Sequence, residues 1–156
     1  MTTNDRPGAA GGEAARGLVL THGELGAELL RTAELIVGHS TGLTALSNRG
    51  LAAADIAAEV RAFHALAPES PLLVLVDLLG GSCAQATSSL LAEPGVRLLT
   101  GVNLPMVIAF LQCRQEPLPL DDLVQAILMR THRGVSVFPG PRVRDREANP
   151  GVAEPA

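Results

Sequence analysis

Apolar residues along this chain gather into short runs, separated by longer stretches in which they recur at helical spacing. The runs at 17–20, 42–46, 72–76 and 96–100 read as strands. Leu72-Leu73-Val74-Leu75-Val76 is apolar throughout, as a strand covered on both faces requires. The run at 42–46 is the weakest, because Thr41-Gly42-Leu43-Thr44-Ala45 mixes small and polar residues. Helical stretches fall at 24–37, 52–66, 83–91, 103–112 and 121–131. In the second, Ala53, Ile56, Val60 and Phe63 form one buried stripe. Asn103 is placed to cap the fourth, with Pro105 tolerated in its first turn, and Asp121 or Asp122 to cap the fifth. A last apolar stretch, 135–138, is expected to add a fifth strand. Regular alternation of strand and helix predicts an α/β domain with a mostly parallel, doubly wound sheet between two helical layers.

This pattern occupies 17–139. Residues 1–16, rich in Gly and Ala, and 140–156, rich in Pro, Arg and Glu, lack apolar periodicity and read as disordered tails. The net charge of −4 belongs to the central region, which holds seven arginines and eleven carboxylates. With no basic stripe, nucleic acid is not an expected partner. No apolar run approaches the length needed to span a bilayer, and the start of the chain lacks a signal-peptide core. Cys83 and Cys113 fall at helical segments and read as small core residues rather than a disulfide. A cytoplasmic location fits these features. Lysine is absent, which removes Schiff-base chemistry and lysine-dependent phosphate loops. Tryptophan and tyrosine are absent too, which disfavours a flavin-stacking, flavodoxin-like cofactor binder.

Three predicted strands end in small polar groups just where a helix begins. The first offers Thr21-His22-Gly23, the third Asp77 followed by Leu78-Leu79-Gly80-Gly81-Ser82, and the fourth Gly101-Val102-Asn103. In open α/β sheets such strand ends line the ligand crevice. The set suits phosphoryl transfer through histidine. Neutral imidazole is a nucleophile near neutral pH, and a carboxylate on one ring nitrogen fixes the tautomer so that the other attacks. Gly23, Gly80, Gly81, Ser82 and Asn103 offer N–H, hydroxyl and amide groups to phosphate oxygens. Leu78 and Leu79 would form an apolar docking patch where exposed; packing within the turn accounts for them equally well. His39, His64 and His132 lie at helix ends or surfaces with no metal-ligand spacing, so neither a metal nor a cofactor is expected.

These residues resemble the IIA component of the mannose-type sugar phosphotransferase system. The match runs through Thr21-His22-Gly23, Leu29-Leu30-Arg31-Thr32-Ala33-Glu34, Asp77, Gly80-Gly81-Ser82 and the unbroken Gly101-Val102-Asn103-Leu104-Pro105-Met106. The resemblance implies a homodimer that exchanges a fifth strand, for which 135–138 is the candidate. It also implies that His22 takes phosphate from the phosphocarrier HPr and passes it to a IIB component, and through it to membrane IIC and IID. Asp77 matches the aspartate that bonds the active histidine, and Ser82 and Asn103 match loop positions lining the site. The chain departs from the family pattern at Leu78 and Leu79, where an aromatic residue is frequent, at Cys83, where proline is common, and around 40–50. Two neighbouring readings share the same histidine chemistry: a phosphorylation-dependent regulatory module without a transporter, and the phosphotransfer subunit of dihydroxyacetone kinase.

Overall fold

A computed structural model describes residues 14–138. Four strands, β1 (Arg16–Thr21), β2 (Leu43–Ser47), β3 (Leu72–Val76) and β4 (Val96–Thr100), form one sheet in the order β2-β1-β3-β4, and every pairing is parallel. The helices between and after them are α1 (Leu25–Val37), α2 (Ala53–Ala65), α3 (Ser82–Thr87), α4 (Leu104–Cys113) and α5 (Leu120–Arg133).

Alternation along the strands divides the core in two. Val19, Leu73, Leu75 and Leu99 turn to the layer that includes Ala33 of α1, Phe110 of α4 and Ile127 of α5. Leu18, Leu20, Val74 and Val76 turn to the layer that includes Ile56 and Val60 of α2 and Cys83 of α3. The expected stripe of α2 is thus half realised, with Ile56 and Val60 buried and Phe63 packed at the margin. Phe110 is fully buried, and its ring lies across Gly17, where an added Cβ would come within 2.8 Å of Cζ. α1 covers one face and α2 the other, so the chain reverses its direction of winding at the β1/β3 pair, the position at which doubly wound sheets open a crevice.

Several expectations need correcting. The 135–138 stretch forms no strand: Val135, Val137 and Phe138 follow α5 as exposed chain. An extended segment needs a ladder partner for its backbone groups, and none pairs with it among the described residues. The first strand starts at Arg16, inside the expected tail, because Arg16 is anchored. Its guanidinium donates to the Phe63 and Ala67 carbonyls at the end of α2 and stacks over the Phe63 ring at 4.4 Å. The helix expected at 83–91 stops at Thr87 and tightens into a 3₁₀ turn over Ser88–Leu90. Neither Asp121 nor Asp122 caps α5, whose N-cap position is Pro119; Asp121 instead accepts from Arg97 of β4 at 2.8 Å. Residues 1–13 and 139–156, with most of both predicted tails, lie outside the described residues.

Candidate functional site

Parallel registry brings the carboxyl ends of the strands level: Thr21 pairs with Ser47, Leu20 with Val76, and Val76 with Thr100. The residue following each strand therefore reaches one edge of the sheet. His22 leaves β1 and Asp77 leaves β3, its direct neighbour. The Asp77 carboxylate accepts from the His22 backbone N–H at 2.9 Å and lies 2.9 Å and 3.1 Å from Nδ1 of the same residue. Both the position and the rotation of the imidazole are held by one side chain. The His22 side chain is 47% exposed and that of Asp77 only 14%, so the ring fronts solvent with its anchor behind it.

With Nδ1 facing the carboxylate, the neutral tautomer carries its proton there and leaves a lone pair on Nε2. That edge of the ring is lined by Gly81, where an added Cβ would sit 3.3 Å from Cε1 and 3.8 Å from Nε2. A side chain there would press on Cε1 and meet Nε2 at ordinary contact distance. Gly80, at φ +81°, makes the left-handed turn that brings Gly81 there. Burial pushes the Asp77 carboxyl up, but the hydrogen bonds from the His22 backbone and ring and the attraction of its charge outweigh it, so the group lies below the usual aspartate value. For Cys83, which follows Ser82 in the first turn of α3 and is wholly buried, burial and the nearby Asp77 charge push the thiol up.

The sequence reading missed Asn48. It leaves β2 level with His22, and its Oδ1 accepts from the Gly23 N–H at 3.3 Å while its Nδ2 points to Ser82 Oγ at 3.5 Å. The available signal was positional: Asn48 ends a predicted strand just as His22, Asp77 and the Gly101 turn do. Its contacts bear on two expectations. The N–H of Gly23 is engaged by Asn48, and Ser82 Oγ accepts from Asn48 through one of its two lone pairs. Thr21, fully buried, accepts from the Gly26 N–H at 2.8 Å and fastens the start of α1 beneath His22.

Asn103 behaves first as a cap. Its Oδ1 accepts from the Met106 N–H at 3.0 Å and its Nδ2 donates to the Gly101 carbonyl at 3.1 Å, which fixes the turn after β4. Leu78 and Leu79 are exposed beside the site, at 60% and 74%. His39, His64 and His132 lie elsewhere, after α1 and in the last turns of α2 and α5. Cys83 and Cys113 are free thiols, both buried. No helix among the described residues is long and apolar enough to cross a membrane.

The chain is similar to proteins of one family. The family model for the PTS system fructose IIA component (EIIA-man) matches residues 17–128. The mannose-specific EIIAB component of the sugar phosphotransferase system of Escherichia coli K12 is 28% identical over 138 residues, which is 86% of this chain and 43% of that protein. The chain thus spans less than half the length of the curated relative it matches. The crystal structure of phosphotransferase system component EIIA from Streptococcus agalactiae superposes with a TM-score of 0.71 at 26% identity, over 80% of this chain and 97% of the other. A putative phosphoenolpyruvate-dependent sugar phosphotransferase permease from Klebsiella pneumoniae gives 0.72 at 26% identity, over 81% and 92%. Taken with the α/β fold, these matches show that the chain belongs to the mannose-type IIA family of the sugar phosphotransferase system.

Proposed function

We propose that this domain is a cytoplasmic phosphocarrier in which His22 accepts a phosphoryl group from phospho-HPr and passes it to a IIB component. The observation that carries this reading is the Asp77 carboxylate on both the backbone N–H and Nδ1 of His22. In the forward step the Nε2 lone pair forms the new N–P bond while the donor's N–P bond breaks, and the donor imidazole keeps the bonding pair. The His22 ring gains positive charge, and Asp77 is the counter-charge already in place. Ser82 donates its hydroxyl to a phosphoryl oxygen, the backbone N–H groups around Gly80 and Gly81 serve the others, and Gly23 and Asn103 shape the neighbouring turns. Since the group arrives already activated, the work is positioning and charge stabilisation.

Exposed Leu78 and Leu79 are the apolar part of the surface on which HPr and IIB dock in turn. The IIB component would hand the phosphate on to sugar at membrane IIC and IID. In a homodimer, 135–138 would find a ladder partner in a second copy.

Incubation with phosphoenolpyruvate, enzyme I and HPr, followed by intact mass spectrometry, should add one phosphoryl group to the wild-type chain and none to His22→Ala. A wild-type chain that stays unmodified, or a variant that gains as much, would sink the reading. Asn48→Ala should slow the transfer by about tenfold, because the turn bearing His22 and the Ser82 hydroxyl both lose their tie. A rate within twofold of wild type would remove Asn48 from the machinery.

A further inference from the structure

The β1 and β3 turns and the start of α3 bring together three side chains of different donor type. A ring nitrogen of His22, a carboxylate oxygen of Asp77 and Cys83 Sγ all lie within 4.8 Å of one another, and this is the group of metal-capable donors found among the described residues. The spacings anticipated at the sequence level offered no metal site, because 55 residues separate His22 from Asp77 and only the sheet joins them. We propose that His22, Asp77 and Cys83 bind a thiophilic divalent cation of the zinc class, and that its occupation withholds His22 from phosphoryl transfer. The second half rests on the phosphocarrier reading; the first does not.

Donor chemistry and charge both select the ion. Imidazole, carboxylate and thiolate together form the mixed nitrogen, oxygen and sulfur set that suits zinc over magnesium or calcium. One carboxylate and one thiolate neutralise a divalent ion, so the loaded site buries no net charge. Zinc–ligand bonds of about 2.0–2.3 Å place tetrahedral donors about 3.3–3.6 Å apart, so no gap has to close by more than about 1.5 Å. Cys83 and Asp77 form the inner wall and the exposed His22 the outer one, which leaves the fourth position open to water.

Binding displaces one proton, from Sγ, to solvent. Where the ion takes Nδ1, the single proton of the neutral ring must sit on Nε2, which then has no lone pair. Where it takes Nε2, the nucleophile is blocked directly. In both arrangements the in-line attack cannot begin.

The test uses the full-length chain, untagged and kept reduced, titrated with cobalt(II) and then with zinc(II) against a chromogenic chelator. One equivalent should bind, with a thiolate-to-cobalt charge-transfer band in the near ultraviolet. Cys83→Ala and Cys83→Ser should both lose the band and weaken zinc binding by about tenfold or more. No band in wild type, or zinc affinity within twofold in both variants, would overturn the site. In a second arm purified phospho-HPr is added to zinc-loaded protein: wild type should stay unlabelled and Cys83→Ala should label as it does without zinc. Full labelling of zinc-saturated wild type would overturn the inhibitory role. If no phosphate enters even without zinc, the phosphocarrier reading fails, while the cobalt spectrum still decides the metal site.

Discussion

Asp77→Asn should slow phosphate acceptance at His22 by about 10²–10⁴-fold while leaving the fold intact. An amide has one acceptor oxygen where the carboxylate has two. If that oxygen keeps the His22 backbone N–H, the amide NH₂ faces Nδ1 and demands a lone pair from it. The ring proton then moves to Nε2, and the nucleophile is lost. The counter-charge for the phosphorylated ring disappears with it; the same exchange in a serine-protease triad costs about 10⁴. Quenched-flow labelling from phospho-HPr measures the rate, and a drop of less than about threefold would mean that Asp77 is not the orienting group. The pH dependence has a definite sign. Burial alone would raise the Asp77 carboxyl, but the His22 hydrogen bonds and charge hold it below its ordinary value. The folded state therefore gains stability from this ionisation above about pH 4 and loses it as pH falls through the depressed value. Asp77→Asn should flatten that acid limb in a stability-versus-pH series.

The largest effect on stability is expected at Phe110→Ala. Phe110, on α4, is fully buried, and its ring occupies the space that Gly17 leaves over β1. Removing it costs the transfer free energy of the ring plus the cavity left behind, about 3–5 kcal/mol. That is a large share of the roughly 5–15 kcal/mol that holds a domain of this kind together. Urea unfolding followed by circular dichroism should show a much lower midpoint with an unchanged slope. A loss under about 1.5 kcal/mol would mean that the core closes around the gap or that the ring is not packed as described.

Much of the scaffold was readable because short apolar runs leave a plain mark. β3 and β4 begin and end where their apolar runs do, and Asn103 and Pro105 mark the start of α4 as capping chemistry predicts. β2 was harder, since it exposes Thr44 among small and polar residues, which dilutes its apolar signal. That weakness also hid Asn48, whose importance depends on where the strand ends. The 135–138 stretch is a different case. Apolar pattern shows that a segment can pair, but pairing also needs an edge to pair with, and among the described residues of one chain 135–138 has none.

At the site, His22 and Asp77 were legible from their positions after strands. The closeness of Cys83 to them was not, because it depends on how tightly the Gly80-Gly81 turn folds back before α3 begins. Gly17 likewise looked like the start of an apolar run, and only the packing reveals it as the seat of the Phe110 ring.

The strand order has a consequence for biosynthesis. β1 leaves the ribosome first yet occupies an interior position, flanked by β2 on one side and β3 on the other. His22 and its carboxylate are 55 residues apart, so at about 5–20 residues per second the histidine waits roughly 3–11 seconds for its partner to be made. A nascent chain halted before Asp77 carries His22 without the carboxylate that holds its ring. On the proposed function, the chemistry is withheld until the sheet is nearly complete.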